Sequence, residues 1–521
     1  MTPTAGNGFQ VYLETFGCQM NELDSELVRG QLAALGYRFT TNAAEADVVL
    51  YNTCSVRQQA ENKALSRVGL MGIRKQESDR RLVLGVIGCM AEREGAGMLK
   101  RYPQIDLLCG PGELDRLPML IDNALKADAS VLADRVALQG NTSRRTATLA
   151  AAEDNLEMLD LSRAFDPDRA TSGARSAYVR ITRGCNKFCT YCVVPYTRGA
   201  EVHRPPDAIV DECRMLADQG VVEITLLGQT VNHYRYEHGA ALTVGGEEAA
   251  QVGPGLGAFR RTAPVGARVT SFADLLARIH DEVPSIARLR FVTSYPRDFG
   301  DDILAVMRDS PRICRYLHVP AQSGSNRVLK TMNRGYTVEE YLEFIDRARS
   351  FLPDVSIAGD FIVGFPTETE EDFEASAALV RRVGFKNNFI FKYSPRPGTT
   401  AWDRLPDDVP DEVKRRRNNA LLAVQGEVSA EVHGAYAGRT VEVFVEQISQ
   451  QSAARTGNVE LGWAPARVQM SGRTGGDLIT VFDLPADVSA ASLIGRVVPV
   501  RVTGAGTLIL YGELAGVPAA C

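Results

Sequence analysis

Three cysteines in the segment RGCNKFCTYC have the spacing of an iron–sulfur ligand set. Cys185, Cys189 and Cys192 form a C-x3-C-x2-C loop directly after the predicted strand AYVRIT (177–182). A 4Fe-4S cluster is ordinarily bound by four cysteines, so three cysteines would leave one iron open. An open coordination position lets a metal centre bind and activate a substrate. A partial zinc site is the alternative, although no fourth cysteine or histidine stands at zinc spacing nearby.

Three more cysteines follow three separate apolar runs. Cys18, Cys54 and Cys89 end the segments ETFGC, YNTC and VIGC. Because the carboxyl ends of parallel strands meet at one edge of a sheet, we expect these distant cysteines to converge. Cysteine is also a common small buried residue, which is the alternative interpretation for any one of them. Their recurrence at three equivalent strand ends favours a second iron–sulfur site with three cysteines.

The elements that position this second triad repeat along the first part of the chain. Short apolar runs at 11–17, 46–52, 81–88 and 105–110 alternate with helical patterns. This alternation is typical of α/β proteins and predicts a doubly wound parallel sheet over residues 8–137. Cys109 lies inside the last apolar run, so we interpret it as core packing.

The C-x3-C-x2-C loop belongs to a second α/β region, predicted over residues 176–433. Six alternations of strand and helix predict a partial (β/α)6 barrel, whose active groups lie on the loops at the carboxyl ends of the strands. The Gly- and Ala-rich residues 235–270 predict a long surface loop inserted after the second barrel strand. Residues 138–175 have little apolar periodicity and are interpreted as a linker. The predicted strands are AYVRIT, VEITLLG, LRFVTS, YLHVP, VSIAGDFIVG and NNFIFKY.

Short alternating strands are predicted over residues 434–516. The five runs RTVEVFVEQ, ARVQM, DLITVFDL, RVVPVRVTGAG and TLILYGEL favour a small closed β-barrel of oligonucleotide-binding proportions. The basic run from Lys414 to Arg417 precedes this barrel, and it either contacts phosphate or forms a solvated helix face. The remaining cysteines have no ligand spacing and are interpreted as structural: Cys213, Cys314 and Cys521.

The composition fits a cytoplasmic protein. The chain has 521 residues, of which 45% are hydrophobic and 23% charged, and no apolar run approaches the roughly 20 residues that span a bilayer. The opening residues MTPTAGNGFQ contain no secretory signal, so we expect a reducing compartment in which cysteines serve as metal ligands. A net charge of −6 gives no global electrostatic case for nucleic acid. Any role with RNA must therefore rest on motifs.

The C-x3-C-x2-C loop closely resembles the hallmark of the radical S-adenosylmethionine (SAM) superfamily. The resemblance implies that SAM chelates the open iron through its amino and carboxylate groups. One electron from the cluster would then cleave SAM to methionine and a 5′-deoxyadenosyl radical.

The same resemblance implies SAM contacts elsewhere. Tyr191 matches the family position whose backbone meets the adenine. The segment LLGQT (226–230), with Gly228 and Gln229, lies where the family binds the amino group of SAM. Its residues Gln229 and Thr230 differ from the usual Gly-Glu pair. Ile362 and Gly364 belong to IAGDFIVGFPTET (357–369), which resembles the strand that supports adenine and ribose. Gln322 in HVPAQSGS faces SAM, or else it is a buried polar residue that satisfies backbone groups.

Two cysteine triads followed by a small β-barrel closely resemble the methylthiotransferase family. The segments NTCSVRQQAENK (52–63) and GCNKFCTYCVVPYTRG (184–199) look most like the MiaB branch, which acts on N6-isopentenyladenosine beside the transfer-RNA anticodon. MNRGYT (332–337) and YSPRPGT (393–399) also match family motifs. The C-terminal barrel resembles the TRAM domain, which implies RNA binding.

This resemblance implies that two 4Fe-4S clusters perform different steps of the reaction. The first supplies the radical that opens the adenine C2–H bond, which acid–base or nucleophilic side chains cannot open at neutral pH. The cluster at Cys18, Cys54 and Cys89 holds the sulfur that attacks C2 after a second SAM has methylated it. No side chain is expected to be a catalyst itself. We expect a monomer, an electron donor such as a flavodoxin or ferredoxin, and a sulfur donor that the sequence does not identify.

Three alternatives remain open. Two relatives share the architecture, one modifying threonylcarbamoyl-adenosine in transfer RNA and the other an aspartate of a small-subunit ribosomal protein. The residues around Cys54 and Cys192 favour the isopentenyl substrate. A non-enzymatic RNA-binding protein with structural clusters is a different class of function, but structural metal sites are normally closed by a fourth ligand.

Overall fold

A parallel sheet forms the first part of the chain. The computed structural model describes residues 8–56, 58–77, 81–126, 135–139, 159–160, 175–239, 243–244, 247–253, 268–449 and 468–516. The first elements are β1 (Gln10–Phe16), α1 (Gln19–Ala34), β2 (Arg38–Phe39), β3 (Val48–Thr53), α2 (Gln58–Glu77), β4 (Val83–Gly88), α3 (Cys89–Glu94), α4 (Gly97–Arg101), β5 (Leu107–Cys109), α5 (Leu117–Lys126) and β6 (Val136–Ala137).

The strand order β2-β1-β3-β4-β5-β6 confirms the predicted doubly wound sheet. Every pairing is parallel. All residues of β3 and β4 are buried, because separate apolar clusters cover the two faces of the sheet. The sequence predicted the four longer strands and missed β2 and β6, which have two residues each.

The middle of the chain contains the six predicted barrel strands. Its elements are β7 (Ser176–Arg180), β8 (Thr182–Arg183), α6 (Val194–Thr197), β9 (Val202–His203), α7 (Pro206–Asp218), β10 (Glu223–Leu227), β11 (Arg235–Glu237), β12 (Thr243–Val244), β13 (Glu247–Glu248), β14 (Gln251–Val252), β15 (Val269–Ser271), α8 (Phe272–Glu282), β16 (Arg288–Phe291), α9 (Asp301–Asp309), β17 (Tyr316–His318), α10 (Asn326–Thr331), α11 (Val338–Phe351), β18 (Ser356–Val363), α12 (Glu370–Val383), β19 (Asn387–Lys392), α13 (Thr400–Arg404) and α14 (Asp411–Gly434).

These six strands follow one another around a partial barrel. The strands β7, β10 and β16 pair in parallel, as do β17, β18 and β19. A parallel bridge between Leu289 and Ile313 lies between the two groups. The helices close over a large apolar core. A capping box begins α11, in which the Thr337 side chain accepts a hydrogen bond from the backbone N–H of Glu340.

A closed five-stranded barrel ends the described chain, as predicted. It consists of β20 (Thr440–Ile448), β21 (Gln469–Thr474), β22 (Ile479–Asp483), α15 (Ala490–Leu493), β23 (Val497–Ala505) and β24 (Ile509–Leu514). The strand order is β20-β21-β22-β24-β23. Val443, Met470, Phe482 and Val500 fill its interior.

Salt bridges join this closed barrel to the middle region. Asp477, between β21 and β22, lies 2.7 Å from Nζ of Lys386 and 3.3 Å from Nη1 of Arg290. Arg288 donates to the backbone carbonyl of Thr474 at 2.6 Å. The junction is therefore a buried charged interface.

Two predictions for connecting segments need correction. The inserted segment 235–270 is not a plain loop, because β11 pairs with β15 and β14 pairs with β9, while Tyr236 is fully buried. The predicted linker 138–175 lies mostly outside the described residues. Within it, Asp160 is fully buried and forms salt bridges with Arg180 and Arg204. This part of the predicted linker is therefore buried and is bound to the barrel region by ion pairs.

Three of the four residues in the basic run on α14 form ion pairs within the protein. Lys414 is buried and bonded to Asp407 at 2.6 Å. Arg416 binds Glu370 at 2.8 Å, and the buried Arg417 binds Glu368 at 2.9 Å. These charges are used within the protein. In the described part of the chain, no helix is both long and apolar enough to cross a membrane.

Candidate active site

The C-x3-C-x2-C loop is folded tightly at the end of the first barrel strand. The backbone N–H of Cys192 donates to the carbonyl of Cys189 at 3.0 Å, and that of Cys185 donates to Gly199 at 3.3 Å. Burial raises the pKa of Cys192 to about 12, and the nearby Cys189 raises it further. Burial also raises the pKa of Cys185, with smaller contributions from Glu201 and the other two cysteines. The structure therefore brings these three thiols together.

Two side chains from elsewhere in the barrel region contact this first triad. The Sγ atom of Cys185 lies 3.9 Å from Oγ1 of Thr230, which directly follows Gly228 and Gln229. Gly228 itself lies against Thr182, on the strand that precedes the cysteine loop. Arg334 donates to Sγ of Cys189 at 3.3 Å. The segment LLGQT therefore lies beside the first triad.

The second triad lies at the carboxyl ends of three neighbouring strands. In the register of the sheet, Phe16 pairs with Thr53 and Thr53 with Gly88. Cys18, Cys54 and Cys89 follow these paired residues within two positions, so topology alone brings the three together.

The thiols of the second triad interact with one another. A hydrogen bond with Cys54 lowers the pKa of Cys18 to about 6 against the opposing effect of burial. The same bond raises the pKa of Cys54. Burial raises the pKa of Cys89, and the charge of the nearby Cys18 raises it as well. The three thiols of the second triad are therefore close enough to influence one another's ionisation.

Two buried asparagines hold the loops of the second triad. Asn21 donates to Oδ1 of Asn52 at 3.1 Å, and Asn52 donates to the backbone carbonyl of Asn21 at 2.8 Å. Cys18 begins the helix that contains Asn21, and Asn52 stands two residues before Cys54. Sequence reasoning missed this pair, although Asn52 belongs to the segment YNTC and Asn21 lies three residues after Cys18.

The two triads lie next to each other. The charge of Cys89 acts on Cys192 and raises its pKa. Burial raises the pKa of Cys89, and the charge of Arg198, six residues after Cys192, partly offsets that rise. Arg396, in the YSPRPGT segment, donates to Gln58 at 2.9 Å and to Glu61 at 3.1 Å. Both arginines lie in segments that match family motifs, but the sequence alone did not indicate a role for either residue.

A cavity of about 140 Å³ lies beside the first triad and the loop that follows Cys54. Ser55 and Val56 line it from the loop after Cys54, and Tyr191 and Cys192 line it from the first triad. Two further residues with a predicted SAM contact, Gln322 and Ile362, also line this cavity.

The remaining predicted SAM residues lie elsewhere. Gly364 packs against Lys414 of α14, and its N–H donates to Glu368 at 2.6 Å. Gly228 and Gln229 stand near Cys185 at the end of β10. The structure thus brings Tyr191, Gln322 and Ile362 to one cavity and does not bring Gly364 there.

The site residues fit the groups that the sequence implies. Oε1 of Gln322 is buried and has no hydrogen-bond partner among the described residues, so it is free to bind a polar ligand in the cavity. No three His, Cys, Asp or Glu side chains in the described ranges are arranged to hold a single metal ion. A 4Fe-4S cluster requires wider spacing, because each cysteine binds a different iron.

The other cysteines are structural in the described residues. Cys109 is fully buried and donates to the carbonyl of Glu113 at 3.1 Å. Cys213 is fully buried in the barrel core and Cys314 is also buried. Cys521 lies outside the described residues.

Comparison with known proteins identifies two regions. Residues 179–380 match the radical SAM superfamily, and residues 10–110 match the uncharacterized protein family UPF0004. The first match implies a 4Fe-4S cluster and SAM as cofactors. Among solved structures, the radical SAM methyltransferase TsrM from Kitasatospora setae has a TM-score of 0.48 at 15% identity, covering 76% of this chain and 77% of that one.

Curated relatives match almost the whole chain. A tRNA-2-methylthio-N(6)-dimethylallyladenosine synthase of Rhodopirellula baltica is 42% identical over 511 residues, covering 95% of this chain and 97% of its own. A synthase of the same name from Phocaeicola vulgatus is 38% identical over 504 residues, covering 97% and 95%. At this identity and coverage, the chain belongs to the tRNA-2-methylthio-N(6)-dimethylallyladenosine synthase family of radical SAM enzymes.

Proposed function

We propose that this chain is a methylthiotransferase that converts N6-isopentenyladenosine next to the transfer-RNA anticodon to its 2-methylthio derivative. The names of its relatives support this substrate. The supporting observation in the structure is the cavity lined both by Cys192 of the first triad and by Ser55 and Val56 of the loop after Cys54. An adenine in this cavity would contact the first triad and the loop that carries Cys54.

We further propose that each triad binds one 4Fe-4S cluster. When bound, the first cluster with SAM would supply the radical that opens the C2–H bond, and the second would supply the methylated sulfur. Gln322 provides a buried acceptor for SAM at the cavity wall. The hydrogen-bonded pair Asn21–Asn52 fixes two of the cysteine loops.

Arg396 has a positioning role in this proposal. Its guanidinium binds Gln58, Glu61 and the carbonyl of Val56, all on the segment after Cys54. The residue itself lines the cavity and belongs to the barrel region. It therefore fixes the loop of the second triad against the substrate cavity.

The remaining proposals concern organisation and partners. We propose the boundaries 8–137, 176–433 and 434–516, a cytoplasmic monomer, and a flavodoxin or ferredoxin as electron donor. The closed barrel is proposed to bind RNA. Its exposed Tyr511, 47% accessible, offers a ring on which a base can stack.

Mass spectrometry of transfer-RNA nucleosides from a deletion strain tests the proposed function. Complementation with the wild-type gene should restore 2-methylthio-N6-isopentenyladenosine, and Cys18→Ala or Cys185→Ala should not. Cys213→Ala is the matched control, because it removes a buried cysteine outside both triads and should restore the nucleoside. A nucleoside level unaffected by the gene would contradict the substrate. Methylthiolation of threonylcarbamoyl-adenosine or of a ribosomal aspartate would identify one of the alternatives.

A further inference from the structure

A buried arginine contacts the first cysteine triad. Arg334 is only 7% exposed and donates from Nη1 to Sγ of Cys189 at 3.3 Å. Its other donors reach the hydroxyls of Tyr191 and Tyr336 and the carbonyl of Pro320, at 3.1 to 3.4 Å. Neither the superfamily match nor the proposed function gives this residue a role.

The turn that holds Arg334 is fixed from both sides. Asn333 and Gly335 have left-handed backbone angles, with φ of 57° and 69°. The Asn333 side chain donates to the carbonyl of Phe188 in the cysteine loop at 3.0 Å. The MNRGYT turn is therefore bound to the C-x3-C-x2-C loop, and the guanidinium is held against the triad.

Arg334 differs from most other buried arginines in having no carboxylate partner among the described residues. The guanidinium lies over the rings of Tyr295 and Tyr336, at 5.0 and 5.2 Å from their centroids. Each of five other buried arginines has a carboxylate oxygen within 3.1 Å: Arg198, Arg204, Arg290, Arg396 and Arg417.

A buried guanidinium stays charged, and an uncompensated buried charge is costly. The burial of Arg334 therefore requires an anion close by. The tyrosine hydroxyls around it are ordinarily neutral at pH 7. The contacted group that becomes anionic when a metal binds is the sulfur of Cys189.

We propose that Arg334 is the counterion of the cluster at Cys185, Cys189 and Cys192 and sets the potential at which that cluster is reduced. Reduction adds one electron, from a low-potential one-electron donor, and forms or breaks no bond. The added negative charge is stabilised by a nearby cation, and hydrogen bonds to cluster sulfurs tune the reduction potential. Arg334 acts through Cys189, so it is a positioning residue. This inference rests on the proposed function, which places a cluster on these cysteines.

An EPR-monitored redox titration of the full-length, reconstituted protein tests the proposal. The signal that changes on adding SAM reports the first cluster, since SAM binds its open iron. Arg334→Gln should lower the equilibrium constant for one-electron reduction at least tenfold, which places the midpoint about 59 mV more negative. Arg334→Lys keeps the charge and should recover at least half of this shift. Lys330→Gln removes an exposed charge from the neighbouring helix α10 and should change the constant less than twofold.

Iron content separates the possible outcomes. Full iron with an unshifted midpoint in Arg334→Gln would overturn the proposal and leave the proposed function intact. Loss of the cluster from both Arg334 variants would also overturn it, because charge would then not be what the site needs. Loss from Arg334→Gln alone, with unchanged thermal unfolding, would support it. A wild-type protein without any SAM-sensitive signal would instead contradict the proposed function.

Discussion

The guanidinium of Arg198 lies 2.7 Å from the carboxylate of Asp24, and both side chains are buried. Arg198 follows the first triad in the chain, whereas Asp24 lies on the helix that Cys18 begins. The charge of the same arginine lowers the pKa of Cys89 against the effect of burial. This one ion pair therefore connects the barrel region to the second triad.

Breaking that pair should destabilise the protein strongly. Asp24→Asn or Arg198→Gln leaves a buried group unpaired, so each should lower the free energy of unfolding by about 3–5 kcal/mol. The double variant should lose less than the sum of the single variants. Denaturant titration of the four proteins measures the coupling.

An exposed ion pair provides the control for this cycle. Arg382 and Asp346 lie 3.0 Å apart, with side chains 55% and 53% exposed. Their coupling should stay below about 1 kcal/mol. A coupling this small for Arg198 and Asp24 would contradict the connecting role.

Gly88 should be essential for the second triad in a way that Gly95 is not. Both glycines flank α3 and have similar backbone angles, with φ of 89° and 64° and ψ of −161° and −169°, a region that only glycine adopts readily. A Cβ atom at Gly88 would lie 2.4 Å from Oδ1 of Asn52, but at Gly95 it would meet nothing within 4 Å.

The two alanine variants therefore separate backbone strain from collision. Gly95→Ala should cost only the strain, about 1–3 kcal/mol, with full iron content. Gly88→Ala should additionally displace Asn52 and Cys89 and lose about half of the iron. Iron analysis of both purified variants measures the difference, and equal iron contents would count against the geometry of the second triad.

His203 should make the protein less stable in mild acid. Burial lowers its pKa to about 4, and the groups that face it are Glu201 and His233. The unfolded chain has a histidine pKa near 6.5, so the stability is complete above that value and is lost as the pH falls toward 4. At pH 5 this one imidazole should cost about 2 kcal/mol relative to pH 7.5.

His203→Gln removes this titration. Thermal unfolding of the wild type and the variant at pH 7.5 and pH 5 gives the comparison. The variant should lose clearly less stability between the two pH values. A loss equal to that of the wild type would show that His203 does not contribute to the acid sensitivity.

Asp477 should hold the closed barrel to the middle region. Burial raises its pKa, but Lys386, Arg290 and Arg473 together lower it to about 2, so it is charged near neutrality. Asp477→Asn keeps the shape and tolerates the left-handed φ of 60°, but it leaves the buried Lys386 without a carboxylate partner among the described residues. The docking should weaken by about 3–5 kcal/mol.

Hydrogen exchange at the junction measures this effect. Amides of β16, β21 and β22 should exchange faster in Asp477→Asn. The control Asp487→Asn removes an exposed carboxylate of the same barrel and should leave their exchange unchanged. Unchanged exchange in Asp477→Asn would contradict the proposed docking role.

The sequence predicted the strands and the convergence of the cysteines because both depend on local signals. An apolar run followed by a cysteine identifies a strand end, and parallel topology brings three such ends together. Arg334, Arg198 and Arg396 belonged to quoted segments, but their partners lie far away in the chain. A single sequence does not indicate that Arg198 meets Asp24 or that Arg334 meets Cys189.

The errors have the same origin. Asp160 lies in a stretch without apolar periodicity. The sequence does not show that this residue is buried and pairs with Arg180 and Arg204. The sequence left a phosphate contact open for the basic run on α14. It does not show that Lys414 pairs with Asp407 or that Arg417 pairs with Glu368. The short strands β11, β14 and β15 have only two or three residues each, too few for a periodic signal.

Counting iron in the anaerobically reconstituted protein tests the two-cluster account most directly. Two 4Fe-4S clusters predict about eight irons per chain. Replacing Cys18, Cys54 and Cys89 together by alanine should leave about four, and so should replacing Cys185, Cys189 and Cys192. A wild-type value of about four, or about eight irons retained after either triple replacement, would contradict the account.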